Sequence, residues 1–550
     1  MKQIQSILQK MSKNLVIRGT LILTVTGLAT RIIGFYNRIF LSRLIGAKEL
    51  GIYQLIFPIY MVAFSITTFG NELALTKLVS EYRSRKDPAS AMVLLRICFL
   101  YNLTLALIVS SLVYARADWL CLHVLNAPEC AGCLKVICIG IPFMAMKGAI
   151  HGYFLGLKQS GVHGISDFLE QIAKVFGLFL LSTTICIRES YDAAFAVWGI
   201  VIGELASLLY SILALLLHVR KQEISQCCTY SSGGSNGHLP GRSRKLPLLS
   251  SLPGPDAQPS KNCRSARPVY ASRLLRLFFK NAVPFTTNRL TLTLLQSIEA
   301  IMIPTVLLSY YGNSTQSLEI YGVFSGMAFP FIMFPSTVTN SLSTMLMPAV
   351  SSASSELNEG YLKRLSEKSL HFCLLIGLFS TAVFYLFGSS IGDCFFQNRE
   401  AGHFLLELSF LCPLIYLATT LASILNGLGL ATHNLILTIL STVLRIGFIL
   451  AAVPKLGMTG YIIGLFLSYL FQTIASLHKI QGIIPVELQF GKGILRPAIT
   501  FSLLGIAAQC LFRRMSTVFP SMPQMIPLFA AIGLIGAAGL VPLLIAQSKQ

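Results

Sequence analysis

Apolar runs of about twenty residues, the length that crosses a bilayer as a helix, recur along almost the whole of this 550-residue chain. A membrane β-barrel would instead show segments of about ten residues with alternating polarity, and none are evident. Charged residues make up only 12% of the chain, against about 25% in soluble domains. We therefore predict an all-α, multi-pass protein of the cell membrane.

The apolar runs predict fourteen membrane spans. Lys and Arg are concentrated before span 1 and after spans 2, 8 and 12, whereas the loop 310–319 has none. Because positively charged loops stay in the cytoplasm, we expect both termini there. The net charge of +21 then reflects topology, and we expect no nucleic-acid partner. The predicted spans are residues 16–40, 51–72, 92–114, 134–156, 165–187, 194–218, 281–308, 321–346, 369–388, 403–426, 434–453, 457–478, 495–512 and 525–546.

The two halves of the chain repeat at a constant offset of 271 residues. An even number of spans per repeat gives both halves the same orientation, and substrate sites in such transporters lie at the repeat interface near the midplane. The matched pairs are Gly51 and Gly322, Pro142 and Pro413, Gly156 and Gly427, and Lys174 and Arg445. We predict an N-terminal lobe (1–218), a linker (219–280), a C-terminal lobe (281–478) and two additional spans within 479–550.

The predicted linker, 219–280, differs sharply from its surroundings in composition. It holds eleven Lys or Arg and only two acids, with a middle rich in Ser, Gly and Pro. Low hydrophobicity with such residues indicates a largely disordered segment. We expect a cytoplasmic tether between the lobes, with basic residues that can lie on anionic membrane lipids.

Arg31 and Arg38 lie inside the first apolar run. Each Arg near the middle of a bilayer costs about 2.5–3.5 kcal/mol on insertion scales, so such residues rarely face lipid. Their spacing places both on one face of a helix, roughly 10 Å apart along its axis. Span 1 has no acid to pair with Arg31, which indicates a cavity that receives an anion. Arg38, nearer the outer end, could alternatively reach the headgroups.

Further ionisable residues lie within the predicted spans. Asp167, Glu170 and Lys174 form one stripe on span 5, where Glu170 and Lys174 can pair at i, i+4. For Glu170 and Lys174, structural pairing and a functional role both stay open, whereas for Glu204 we favour pairing. The substrate-binding candidates are Arg31, Arg38, Lys147, Lys174, Arg289 and Arg445. The charge-pairing or coupling candidates are Asp167, Glu170, Glu204 and Glu299.

A cavity lined by Arg and Lys suits a diphosphate, because Arg donates hydrogen bonds bidentately to phosphate oxygens. No Walker-type, H-E-x-x-H or Asp-rich metal motif is present, so we expect a transporter without catalytic residues, cofactor or metal. Its energy would come from an ion gradient, the membrane potential or removal of product.

Cys121, Cys130 and Cys133 share one predicted outer loop and could form a disulfide.

Several motifs resemble the polysaccharide-transporter branch of the multidrug/oligosaccharidyl-lipid/polysaccharide (MOP) exporter superfamily, which includes the stage V sporulation protein B and MurJ-type families. The resemblance covers nearly the whole chain and implies two six-helix lobes that alternate access for an undecaprenyl-diphosphate-linked sugar. The motifs are RGTLIL at 18–23, TRIIGFYNR at 30–38, KLVSEY at 77–82, HGYFLG at 151–156, LEQ at 169–171 and GELASLLY at 203–210.

Arg31 occupies the place of a cavity-lining Arg in MurJ-type proteins. Their next Arg aligns with Asn37, one residue before Arg38, and their Arg in span 8 has no counterpart in 321–341. The resemblance thus implies a flippase for a lipid II-like precursor, in spore cortex or other cell-wall synthesis, with cell-wall synthesis machinery as a further partner. The alternatives are a MATE-type cation or drug antiporter and a membrane scaffold for envelope assembly.

Overall fold

The computed structural model describes residues 15–85, 87–184, 192–232, 267–356, 359–486, 490–518 and 523–543. Every regular element in these ranges is a helix, which confirms the all-α prediction. The α-helices are α1 Leu15–Phe64, α2 Gly70–Ser84, α3 Pro88–Ala115, α4 Ala117–His123, α5 Ala131–Gly156, α6 Ser160–Thr184, α7 Ala193–Ser232, α8 Arg267–Tyr311, α9 Ser314–Gly322, α10 Phe329–Met333, α11 Ser336–Ser355, α12 Glu359–Ile391, α13 Arg399–Leu408, α14 Cys412–Gly427, α15 Ala431–Ala451, α16 Val453–Leu456, α17 Met458–Gln481, α18 Arg496–Val518 and α19 Met525–Ile535.

Helix α1 contains the first predicted span and most of the second. It is broken at Gly46, whose φ of 79° and ψ of 177° are non-helical. A residue with a side chain would be strained at this φ, so glycine lets the chain turn within a few residues. After α1 the chain continues through a π-helical turn, Ser65–Phe69, into α2.

Eleven described helices are long and apolar enough to cross a membrane. The count is twelve if Ser314–Met333 and Ser336–Ser355, bent by 57°, form one span. The segment Thr26–Ser84, counted once, holds two of the predicted spans. Helix α6 is long enough but carries three charged residues in its centre. The molecule is therefore a multi-pass membrane protein, and the number fourteen stays a prediction.

The buried apolar side chains form three groups. The largest combines residues of both halves, such as Leu55 of α1 and Phe324 of the turn after α9. A second group joins α2, α3 and α5 with the start of α8, and a third lies within α11, α12, α14 and α17. The halves thus share one core at the end that the predicted topology places outside, and have separate cores at the other end.

The predicted linker is shorter than the sequence indicated. Helix α7 continues to Ser232 and α8 begins at Arg267, so 219–232 and 267–280 are helical. Both ends hold apolar residues that extend the flanking helices, and Leu274 and Phe278 are buried against the first half. The middle of the predicted linker, 233–266, lies outside the described residues.

Cys121, Cys130 and Cys133 are buried free thiols, so the disulfide is absent among these described cysteines.

Candidate functional site

A cavity of about 610 Å³ lies between the two halves of the protein. Helices α1 and α6 form one wall, and the second half contributes residues from Ser325 to Asn340. Arg31, Arg38 and Lys174 line this cavity, and none of the described lining residues is acidic. The cavity therefore carries three formal positive charges that its own wall does not neutralise.

Neutral polar groups complete the wall of the cavity. Gln54, Gln171 and Asn340 supply amide donors and acceptors. Asn37 is 4% exposed, and its Oδ1 has no hydrogen-bond partner in the described structure. Gln54 and Asn340 were not predicted from the sequence, because uncharged polar side chains are common in membrane helices. Asn37 and Gln171 lie in the motifs TRIIGFYNR and LEQ. Together with the cations they can hold an anion that carries hydroxyl and amide groups.

Contacts between the halves close one end of the cavity. The ring of Phe35 lies 4.7 Å from the rings of Phe331 and Phe334. Arg43 donates hydrogen bonds to the carbonyl oxygens of Phe395, from Nε at 2.7 Å, and Cys394, from a terminal guanidinium nitrogen at 2.6 Å. The Phe35 contacts lie in the cavity wall, whereas the Arg43 contacts join α1 to the second half at the end that the predicted topology places outside.

Arg38 faces the cavity. It follows Arg31 by two helical turns on α1, and both side chains are exposed to the cavity. Arg38 therefore belongs to the cavity lining together with Arg31. Asn37 also borders the cavity, so two consecutive residues of α1, Asn37 and Arg38, both line it.

Lys147 does not line the cavity but is buried within the first half. Its Nζ lies 2.6 Å from Oε2 of Glu170 and 2.6 Å from Oε2 of Glu204. The hydroxyl of Tyr60 donates a 2.9 Å hydrogen bond to Oε1 of Glu204. This set corrects two predictions: Lys147 is occupied by carboxylates, and Glu170 pairs with Lys147 and not with Lys174. The pairing interpretation of Glu204 agrees with this geometry.

The second half contains a smaller network of the same kind. Nε of Arg445 lies 2.9 Å from Oε1 of Glu299, to which Tyr461 donates a 2.9 Å hydrogen bond. Arg445 also donates to the hydroxyl of Thr442 at 3.1 Å. Arg445 is thus held by a carboxylate, and its predicted place in the cavity is wrong. The repeat gave it the same position as Lys174, but only Lys174 turns toward the cavity.

Two other predicted residues lie elsewhere. The guanidinium carbon of Arg289 lies 4.8 Å from the centre of the Phe69 ring, a cation–π contact between α8 and the turn after α1. Arg289 does not line the cavity. Asp167 lies 3.7 Å from Nδ1 of His163 and belongs to a group of His and Asp side chains in the first half.

An apolar groove runs along the other side of the α1–α6 pair. It has a volume of about 590 Å³ and includes Ile32 and Tyr36 from α1 and Ile172 and Phe176 from α6. These residues are exposed at the protein surface. Because they lie on spans predicted to be in the bilayer, we expect lipid around them. The cationic cavity and the lipid-facing groove therefore share the same two helices.

This arrangement, long membrane helices in two halves around a central polar cavity, defines a multi-pass membrane transporter. Residues 16–229 match the family described as "Polysaccharide biosynthesis protein". The chain is 26% identical to "Stage V sporulation protein B" of Bacillus subtilis (strain 168) over 504 residues, which cover 90% of this chain and 88% of that protein.

Solved structures share this fold. "Lipid II flippase MurJ, inward closed conformation" has a TM-score of 0.63 at 12% identity, over 95% of this chain and all of that chain (100%). An inward-facing MATE family transporter of the MOP superfamily has a TM-score of 0.57 at 15% identity, over 84% of this chain and 95% of that chain. The chain therefore shares the fold of these transporters.

Proposed function

We propose that this protein is a flippase that moves an undecaprenyl-diphosphate-linked saccharide, such as a peptidoglycan precursor, from the cytoplasmic to the outer leaflet of the plasma membrane. The observation that carries the proposal is the cavity with Arg31, Arg38 and Lys174 and no acidic lining residue among those described. A diphosphate is doubly negative, and Arg recognises its oxygens bidentately. The neutral amides Gln54, Gln171 and Asn340 fit the hydroxyl groups of a sugar.

The contacts between the halves support an alternating-access cycle. The shared apolar core and the Arg43 contacts close the predicted outer end, whereas the cores at the predicted inner end are separate. In this state the headgroup enters from the cytoplasmic side and exchanges water for the guanidinium groups of α1. Rocking of the halves then opens the outer end. Both termini are cytoplasmic in this proposal, in line with the loop charges.

The proposal is tested in liposomes that contain the purified protein and a fluorescent undecaprenyl-diphosphate saccharide. An impermeant reductant then reports how fast label crosses the bilayer. Hydrogen bonds to charged groups contribute about 1.5–3 kcal/mol, so Arg31→Gln should slow crossing roughly 10- to 150-fold. Lys174→Gln should act in the same direction.

The matched control is Arg364→Gln. The Arg364 side chain is exposed and donates to the carbonyl oxygen of Gly360, remote from the cavity lining. Its loss should leave the crossing rate unchanged. Equal rates for wild type, Arg31→Gln and Lys174→Gln at equal protein content would contradict the proposal.

The competing function is a MATE-type antiporter of cationic compounds, which the shared fold also accommodates. Its best support is the set of buried carboxylates Glu170, Glu204 and Glu299, which could couple to a cation. The cationic lining of the cavity argues against it, because a cation there meets three like charges. Sodium- or proton-driven dye efflux without lipid crossing would favour the antiporter. Loss of both activities would leave the scaffold interpretation.

A further inference from the structure

We propose that His151, His163 and Asp167 form a binding site for a divalent transition-metal ion of the zinc class, within the first half of the protein. Their ligand atoms all lie within 4.8 Å of one another. His151 belongs to α5, and His163 and Asp167 belong to consecutive turns of α6. The site lies apart from the cationic cavity, and the inference does not depend on the transported substrate.

The hydrogen bonds around His151 fix its ring so that one nitrogen is available as a ligand. The hydroxyl of Ser211 donates to the carbonyl oxygen of Ser207 at 2.8 Å and lies 3.3 Å from Nε2 of His151. In the arrangement in which Ser211 gives its one proton to Ser207, it accepts from Nε2–H, and Nδ1 of His151 carries the lone pair. Metal-ligating histidines are oriented in this way, by a partner of the other ring nitrogen.

The lone pair of His151 points at the second histidine. Nδ1 of His163 lies 2.8 Å from Nδ1 of His151 and 3.7 Å from Oδ1 of Asp167. Two nitrogens bound to one tetrahedral zinc ion at 2.0–2.1 Å stand about 3.3 Å apart. The rings therefore need to separate by about half an ångström, which small side-chain rotations provide. Two imidazoles, a carboxylate and one water complete the usual open zinc geometry.

The electrostatic surroundings favour a cation at this place. Lys147 precedes His151 by one turn on α5, but Glu170 and Glu204 already bind its amine. Those two carboxylates, Asp167 and the nearby Glu72 give four formal negative charges against the positive charges of Lys147 and Lys174. An added divalent cation reduces this imbalance. Asp167 and His163 keep 40% and 28% of their side-chain surface exposed, so an ion and its water can enter.

The alternative to a metal site is a direct His151–His163 hydrogen bond without any ion. The two interpretations differ in one measurable property, the coordination spectrum of the protein with Co²⁺, which reports tetrahedral ligation in the visible range. The full-length protein, purified in detergent and stripped with a chelator, should bind one equivalent of Co²⁺ with such absorption, and Zn²⁺ should displace it. His151→Gln and His163→Gln should each abolish the spectrum.

A variant that replaces one metal ligand by another distinguishes loss of the metal site from loss of folding. His163→Cys replaces imidazole by thiolate, so the site should still bind Co²⁺ and should add a sulfur-to-cobalt charge-transfer band. The matched control is His403→Gln. His403 also faces a carboxylate, Glu407, at 4.0 Å and spacing i, i+4, but it lacks a second histidine in the described structure. This control should keep the full spectrum.

The proposal is overturned if wild-type protein shows no stoichiometric tetrahedral Co²⁺ spectrum. It is equally overturned if the spectrum survives both His→Gln changes, or if His163→Cys remains folded but adds no charge-transfer band. Folding of each variant is checked by its elution as a single species and by its melting temperature without metal.

Discussion

Gly51 of α1 and Gly322 of α9 lie in direct backbone contact. A Cβ on Gly322 would stand 2.9 Å from Cα of Gly51 and would also overlap the carbonyl oxygen of Ala47, and a Cβ on Gly51 would overlap the carbonyl oxygen of Leu318. The two glycines are 271 residues apart, the offset of the internal repeat. Equivalent positions of the two halves therefore meet each other, at the end of the cavity that the predicted topology places outside.

Gly322→Leu should prevent the halves from closing at this end. Forcing extra atoms into a packed contact costs about 1–3 kcal/mol, and here the obstacle is backbone, which yields little. In a variant without reactive native cysteines, Ser325→Cys provides a reporter in the cavity wall. Its labelling by an impermeant thiol reagent from outside the cell should increase.

Gly132→Leu is the control for this experiment, since a Cβ at Gly132 meets nothing within 4 Å. It should leave the labelling rate of Cys at position 325 unchanged. Equal labelling in Gly322→Leu and Gly132→Leu cells would show that this glycine contact does not hold the outer end closed.

Lys147→Met should destabilise the protein strongly. The change leaves Glu170 and Glu204 buried side by side without their cation, and breaking one partner of a buried ion pair costs about 3–5 kcal/mol. The melting temperature in detergent should fall well below that of wild type. In the triple variant Lys147→Met/Glu170→Gln/Glu204→Gln most of the loss should be recovered, because no uncompensated charge remains.

The exposed pair of Lys135 and Asp118 provides the control for this melting-temperature measurement. Its atoms are 2.9 Å apart, but Asp118 keeps 75% of its side-chain surface exposed. Exposed pairs contribute about 0.2–1 kcal/mol, so Lys135→Met should barely change the melting temperature. A similar small effect for Lys147→Met would mean that the three buried groups do not stabilise one another.

Arg445 and Glu299 should show energetic coupling between helices α15 and α8. In a double-mutant cycle with Arg445→Met and Glu299→Gln, contacting groups couple by about 0.5–3 kcal/mol. The free energy of unfolding in denaturant measures this coupling. The exposed Arg85–Glu81 pair, at 2.6 Å, should couple by less than the buried pair. Additive effects of Arg445→Met and Glu299→Gln would argue that the 2.9 Å contact has no energetic role.

The affinity for undecaprenyl diphosphate should depend on the basic residues that line the cavity and not on the other basic residues within the membrane spans. Lys174→Gln should weaken binding roughly 10-fold or more, because it removes one charged donor from the cavity wall. Arg289→Gln should leave the affinity near that of wild type, since Arg289 lies over the ring of Phe69. Affinity is read from tryptophan or label fluorescence on titration in detergent. Equal losses for both variants would contradict a site confined to the cavity.

The sequence predicted the helical membrane fold, and the structure places Arg31 in the wall of the central cavity. An unpaired charge inside one apolar run is a local signal, and the repeat located the interface where that charge would lie. The sequence did not separate Lys174 from Lys147 or Arg445. All three are cations in apolar runs, and their roles depend on which helix face meets the partner acid, a property of packing between distant segments.

The contacts of His163 also depend on packing between helices, which the local sequence does not reveal. The sequence predicts no metal, because the chain lacks ligand motifs of standard spacing. The structure brings together side chains from two helices joined by a short turn, with spacings that match no standard motif. Likewise, Glu299 pairs with Arg445, 146 positions further along the chain. Helix periodicity relates only residues of the same helix, so it could not predict this pair.

The two surfaces of α1 have a consequence for the work that translocation requires. Arg31 borders the polar cavity while its neighbour Ile32 borders the lipid-facing groove. A helix is only about 10–12 Å thick with its side chains, so an amphiphile can hold its head among cations and keep its hydrocarbon in the bilayer. In the proposed cycle the energetic barrier is then the dehydration of the head. The length of the tail, however great, adds nothing to it.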